Sequence, residues 1–398
     1  MSAPTTSTAL VEWVRDGVGD MLRDLEEYVR LETPSDDPVA LAAGRDWVVS
    51  WIERRLGAPA SARTEPGAPH GDTVVLDYPG TGAGAGAGTV LILAHYDTVW
   101  PVGTLAELPF GVDGEVIRGP GVFDMKAGLV QAVWALRAIR TGGLACPPVR
   151  FVLNGDEEIG SPASRPVIEE CCRDAAAVLV FEASADGAVK TARKGVGLFD
   201  VTLTGIEAHA GLDPTAGASA VTALAEFVTA ATALTDVAAG TTVNVGVIAG
   251  GTRPNVTAGS ARAHLDVRVA DEAEAARVER ALTAWRPADP RVTVRLDGGW
   301  NRPVMTRTPA VAGLYERARA LAATLGLDLR ETAVGGASDG NFAAALGVPV
   351  LDGFGAVGGG AHARHEHATV PGMIERSALA AAVLTSLADG GADLPAAG

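Results

Sequence analysis

Three short apolar runs in this chain end in residues that a hydrocarbon interior rejects: TVLILAHYD at 89–97, VRFVLNGDEE at 149–158 and VLVFEAS at 178–184. Near-continuous apolar runs of this length read as strands buried on both faces, the pattern of a parallel sheet covered by helices. Ligands of open parallel sheets bind outside the carboxyl ends of the strands, and His95, Glu157, Glu158 and Glu182 all sit where such a run gives out. The runs alternate with longer segments of helical spacing at 8–30, 38–56 and 125–140, and TVVLDYP supplies a further strand. The expected fold class is therefore α/β, with a mostly parallel central sheet flanked by helices.

From about residue 190 the texture changes. GLFDVTLTG, NVGVIAGGT and SARAHLDVRV alternate with period two, like half-exposed antiparallel strands, and helical runs at 217–234 and 272–286 interrupt them. Residues 190–303 thus read as an inserted α+β domain, flanked by 1–189 and 304–398 of one catalytic domain, to which an Ala-rich helix and the strand VPVLDGFG return the chain. The Gly/Ala stretch TGAGAGAG at 81–88 has no phosphate-loop pattern and reads as a flexible turn without a function.

Composition narrows the partners. A formal net charge of -16 argues against nucleic acid and anionic membrane, which attract an excess of Lys and Arg. Three cysteines, two of them adjacent, make no disulfide framework and fit a reducing compartment. The N-terminal segment lacks a basic stretch leading into a long apolar core, and no apolar run nears the roughly 18 to 20 residues that span a bilayer. A cytoplasmic protein is the expectation.

The polar residues at the strand ends have a chemistry in common. His95, Asp124, Glu158, Glu182 and His362 are two imidazoles and three carboxylates, the nitrogen and oxygen donors that zinc accepts. Asp97 and Glu157 remain for orienting a ligand and moving a proton. Neighbouring residues on an extended strand point opposite ways, so Glu157 and Glu158 divide into one ligand and one base unless the backbone turns there. Spacing alone does not choose among His362, His365 and His367 in AHARHEH. Taken singly, each feature has a bland counterpart: His95 as a core histidine, the Glu157/Glu158 pair as a solvated strand end, and GGASDGN as turn chemistry.

The ordered motifs H-x-D, G-x-x-D-M-K-x-G, D-E-E-x-G-S, a later glutamate, A-H-A-G and a late G-x-H resemble the dinuclear zinc peptidases of the M20 family, most closely the glutamate carboxypeptidase branch. The resemblance runs from about residue 90 to 370 and selects His362 among the three histidines. It implies a di-zinc catalytic domain with an inserted lid or dimerisation domain, and two Zn2+, with Co2+ or Mn2+ able to substitute. Asp124 would bridge the metals, His95 and Glu182 would bind one, and Glu158 and His362 the other. Asp97 would orient His95, Glu157 would be the general base, and a cis peptide would follow Asp124.

In GIEAHAGLDP, His209 resembles the family histidine that stabilises the oxyanion. Asn255, Arg302 and the loop with Gly336 and Ser338 resemble positions that hold the substrate. The implied reaction is hydrolysis of the amide bond to a C-terminal amino acid in a small peptide or N-acyl amino acid, by a homodimer joined through the inserted domain. The competing readings are an aminoacylase that prefers small acyl groups and an amide-forming acyltransferase or ligase on the same metals. FEAS departs from relatives that carry proline after this acid, which alters the loop beside the first metal but not ligation itself.

Overall fold

The structure is a computed structural model and describes residues 7–388. It divides into two compact units: one runs up to Ala192 and continues over Thr306–Val334 and from Ser338, and the other comprises Arg193–Met305 with Gly335–Ala337. Among the described residues, no helix is long and apolar enough to cross a membrane.

The first unit is built on a six-stranded sheet. Strands β1 (Ser61–Glu65), β2 (Thr73–Tyr78), β3 (Thr89–His95), β4 (Val149–Asn154) and β5 (Ala175–Val180) stand in the order β1-β2-β4-β3-β5, and the short strand Val350–Leu351 completes it beyond β5. The three strands read from the apolar runs, β3, β4 and β5, pair in parallel at its centre, whereas β2 joins β4 antiparallel. Register aligns their exits: His95 lies opposite Asn154, and Leu93 opposite Val180. Residues just beyond those positions therefore emerge along one edge.

Helices cover the sheet. The segment expected as one helix over 8–30 is two, α1 (Ser7–Asp16) and α2 (Val18–Val29), parted at Gly17, whose missing side chain makes it a poor helix former. Helix α3 (Pro38–Leu56) starts with the Asp37 carboxylate accepting the N–H groups of Val39 and Ala40 at 3.0 Å, with proline in the first turn, and stops at Gly57 in a positive φ of 80°. Helix α4 (Ala127–Gly142) is buried on nearly every face and packs against the helix Val370–Ala388. The Gly/Ala stretch is not a loose turn. It forms a short 3-10 helix over Gly82–Gly86 whose Gly84 is buried so tightly against the Cys146 carbonyl that a Cβ there would collide.

A small sheet, not foreseen in the sequence, pairs Gly358–Gly359 with His367–Thr369, and His367–Thr369 with Val116–Arg118. It sets His367 opposite Arg118 and so brings the His362–Glu366 loop beside the turn that leads to Asp124.

The second unit has its own antiparallel sheet of β6 (Gly195–Thr204), β7 (Thr242–Gly250), β8 (Ser260–Val269) and β9 (Thr293–Arg302), in the order β7-β8-β6-β9. Phe199, Val201, Leu203, Leu265 and Val267 line a core shared with Leu224 and Phe227 of the helix Ala220–Thr232 and Val278 of the helix Glu272–Ala284. Strand β7 is an edge, with Val247 55% and Ile248 61% exposed.

Candidate active site

The edge formed by the ends of β3, β4 and β5 collects the predicted metal ligands, with Asp97 and Glu157 beside them. His95, the last residue of β3, is buried, and its Nε2 lies 3.4 Å from Asp124 Oδ1 and 3.3 Å from Glu182 Oε1. His362 Nε2 lies 3.3 Å from Asp124 Oδ2 and 3.1 Å from Glu158 Oε2. Asp124 thus turns one carboxylate oxygen to each imidazole. His365 is exposed and has no such neighbours among the contacts of this cluster.

Beyond β4 the chain turns into a 3-10 segment, Glu157–Ile159, so the two glutamates are not held to the alternation of an extended strand. Donor atoms of His95, Asp124 and Glu158 lie within 4.8 Å of one another, and so do those of His95, Glu157 and Glu182. His95 Nε2 and Glu158 Oε1 are buried without a hydrogen-bond partner. Orphaned polar atoms of this kind are rare in a folded interior and are explained where an ion completes them. Nitrogen and carboxylate donors converging in this way fit divalent zinc, cobalt or manganese.

The charges point the same way. Burial alone would lower the His95 pKa, but the carboxylates of Asp124, Asp97 and Glu182 outweigh it and hold it well above its ordinary value. Asp124 and Glu158 push His362 up to about 11. Burial raises Glu158 to about 7, against the pull of His362. Burial also works against the charge of Asp124, but the close imidazoles of His362 and His95 hold its pKa well below the usual range. Without metal, protons on the imidazoles partly balance an excess of carboxylates.

Asp97 differs in detail from its expected part. His95 Nδ1 lies 3.0 Å from the Asp97 main-chain oxygen and 3.3 Å from its Oδ1, so the carbonyl is the nearer acceptor for that ring N–H. The carboxylate itself accepts the main-chain N–H groups of Glu157 at 3.3 Å and Glu158 at 3.1 Å, and the Ser35 hydroxyl at 2.7 Å. The peptide after Asp124 is cis.

Three residues around this cluster were not singled out from the sequence. Glu366 accepts the main-chain N–H groups of Gly121, Phe123 and Asp124 and the Trp100 indole N–H. Lys126, fully buried, donates to the Leu31 and Tyr28 carbonyls at 2.5 and 3.3 Å, with its Nζ 4.9 Å from the Tyr28 ring centre, and burial lowers its pKa to about 7. Ser35 is the third. An acid four residues after the candidate ligand His362 was the available signal for Glu366; Lys126 and Ser35 had none beyond their neighbours.

The remaining predicted residues lie elsewhere in the fold. In the second unit, His209 Nδ1 accepts the N–H groups of Gly211 and Leu212 at 3.2 and 3.1 Å, which leaves the proton on Nε2. Asn255 lies beside it, its carbonyl accepting the Ala210 N–H at 3.0 Å. Arg302, at the end of β9, is 3% exposed, and Gly336 offers its carbonyl to Arg193 at 3.0 Å. Ser338 belongs to the first unit, where it is buried and its hydroxyl bonds the Asp352 carboxylate.

Comparison with known proteins agrees with this geometry. The profile of Peptidase family M20/M25/M40 matches residues 91–388. Carboxypeptidase G2 of Pseudomonas sp. (strain RS-16) is 28% identical over 380 residues, covering 93% of this chain and 90% of that protein. Aminopeptidase PepT of Bacillus cereus ATCC 10987 shares the fold with a TM-score of 0.75 at 20% identity, over 93% of this chain and 99% of its own. The M20 family metallo-carboxypeptidase Sso-CP2 of Sulfolobus solfataricus does so with a TM-score of 0.69 at 18% identity, over 93% and 99%.

Proposed function

Because this chain belongs to peptidase family M20/M25/M40, and is thereby a metallopeptidase with carboxypeptidase relatives, we propose that it hydrolyses the amide bond to a C-terminal amino acid in a peptide or N-acyl amino acid, in the manner of the glutamate carboxypeptidase branch. The observation that carries the reading is Asp124, whose two oxygens each face a different imidazole. A carboxylate so placed is suited to bridge two cations, with His95 and Glu182 completing one position and Glu158 and His362 the other. When bound, two such ions supply Lewis acidity, making a water nucleophilic near neutral pH and polarising the scissile carbonyl.

The protein's own groups then do the rest. Glu157 takes the proton of the attacking water on its carboxylate and delivers it to the leaving amine nitrogen. Asp97 holds the main chain of Glu157 and Glu158, which fixes base and ligand relative to each other. His209, with Nδ1 occupied by two N–H donors, has its Nε2–H to give to the oxyanion. Arg302 and Asn255 are the anchors for the terminal carboxylate, which a guanidinium grips with two parallel hydrogen bonds. Gly336 and Ser338 are the further positions assigned to holding the substrate. We further propose a homodimer joined through β7, whose unpaired edge carries the exposed Val247 and Ile248. A monomeric mass in solution with full activity would contradict that.

The test is metal content by mass spectrometry together with hydrolysis of a panel of N-acyl and peptidyl amino acids, for wild type and Glu157→Ala. About two metals per chain in both proteins, with release of an amino acid by wild type alone, is the expected result. Protein without metal, or an active Glu157→Ala variant, overturns the mechanism.

A further inference from the structure

One buried carboxylate ties three of the ligand-bearing segments together. Glu366 is 4% exposed; its Oε1 accepts the main-chain N–H groups of Phe123 at 2.9 Å and Asp124 at 3.0 Å, and its Oε2 those of Gly121 at 2.9 Å and the Trp100 indole at 2.7 Å. Trp100 follows His95 and Asp97, Gly121–Asp124 is the turn of the candidate bridging acid, and Glu366 follows His362 by four residues. The small sheet that sets His367 opposite Arg118 gives the acid its reach.

A carboxylate buried this deeply is costly unless its charge is met, and four donors meet it here. Three of them are main-chain N–H groups, so the bonds locate the backbone of the turn and leave the Asp124 side chain to face His95 and His362. The arrangement also demands a carboxylate. Two acceptor atoms each receive two donors, whereas glutamine offers one acceptor and an NH2 that would confront two donors whichever way the amide is flipped. An acid present only to fill space would tolerate that isosteric exchange.

We propose that Glu366 is a positioning residue of the metal site, clamping the Gly121–Asp124 turn so that Asp124 presents one oxygen to each imidazole, with Trp100 bracing the clamp. The inference rests on the reading of Asp124 as a metal ligand given above.

The experiment titrates Zn2+, in competition with a chromogenic chelator, into metal-stripped wild type, Glu366→Gln, Glu366→Asp and Trp100→Phe, and records the melting temperature of each metal-free protein. Loss of a group that orients a metal ligand weakens metal binding about 10–100-fold, and Glu366→Gln should lose that much. Glu366→Asp, which keeps both acceptor oxygens, should recover part of it, and Trp100→Phe, which removes one donor of four, should lose less than Glu366→Gln. Zinc binding by folded Glu366→Gln within twofold of wild type overturns the proposal. So does a Gln and an Asp variant equally impaired in parallel with their metal-free melting temperatures, the pattern of a purely structural role. If Glu366→Gln does not fold, weakened zinc binding by folded Glu366→Asp or Trp100→Phe supports the clamp, and wild-type binding in both overturns it. Wild type that binds no zinc overturns the metal reading of the site, and this inference with it.

Discussion

Asp97 holds Glu158 by its main chain: Oδ2 accepts the Glu158 N–H at 3.1 Å while Oδ1 accepts that of Glu157 at 3.3 Å. One carboxylate therefore sets the turn on which a candidate ligand and the candidate base stand side by side, and it also lies 3.3 Å from His95 Nδ1. Asp97→Ala should weaken zinc binding about 10–100-fold and lower kcat as well, because both the turn and the ring lose their support. Asp97→Asn, retaining one acceptor oxygen, should fall between. Zinc dissociation constants and kcat for the two variants check this; unchanged values in Asp97→Ala would leave the turn self-supporting.

Glu157 and Glu158 should separate by assay although they are adjacent. If Glu157 moves the proton, Glu157→Gln keeps its metal and loses roughly 10²–10⁴ in kcat. Glu158→Gln, by contrast, should lose metal, since Glu158 Oε2 lies 3.1 Å from His362 Nε2 within the candidate ligand set. Metal analysis alongside steady-state kinetics distinguishes the two, and the reverse pattern would exchange their roles.

Protons and metal compete at this site. Asp124 and Glu158 raise the metal-free His362 to about 11, above its unfolded value of about 6.5. The contact of the His362 imidazolium with Asp124, whose carboxylate stays charged, thus stabilises the metal-free fold fully below about pH 6.5, and that contribution is lost as pH rises through about 11. Metal binding must expel the same protons, so zinc affinity should rise with pH across this window, with proton release on binding. Calorimetric titrations of metal-stripped protein in buffers of different ionisation enthalpy measure the release directly. Affinity independent of pH between about 6 and 8 would mean that His362 gives up no proton on binding and is not a ligand.

The sheet and its edge were legible because burial and chemistry coincide in the sequence. A strand buried on both faces must be apolar throughout, so the acids and histidine ending β3, β4 and β5 stood out against it. What stayed hidden depends on pairings that no local pattern encodes. Glu366 looked like one more charge in AHARHEH until three-residue strands brought it under the Asp124 turn. Lys126 figured in the sequence only as the lysine of the D-M-K motif, and it is buried against the carbonyl groups of Tyr28 and Leu31. The break at Gly17 and the ordered Gly/Ala stretch were missed for a related reason: glycine's effect depends on what lies beside it, and Gly84 lies so close to the Cys146 carbonyl, with the Thr81 N–H bonded to that same oxygen, that the stretch is packed rather than loose.

Gly128 couples the packing of α4 to the site. A Cβ at this position would collide with the main-chain oxygen of Phe181, the residue before Glu182. In an unconstrained helix interior Gly→Ala gains about 0.5–1 kcal/mol, but here the added methyl must push the helix from the strand end, and overpacking of that kind costs about 1–3 kcal/mol. The sign should therefore reverse, and Gly128→Ala should lower the urea midpoint without changing the slope of the transition. Because the displaced backbone leads directly into Glu182, zinc binding should weaken in the same variant, whereas Gly143→Ala at the far end of α4, where nothing lies within 4 Å but φ is 60°, should lose stability alone. A Gly128→Ala protein as stable as wild type would show that helix and strand yield to the methyl group. One that is destabilised but binds zinc normally would show that Glu182 is positioned independently of the helix beneath it.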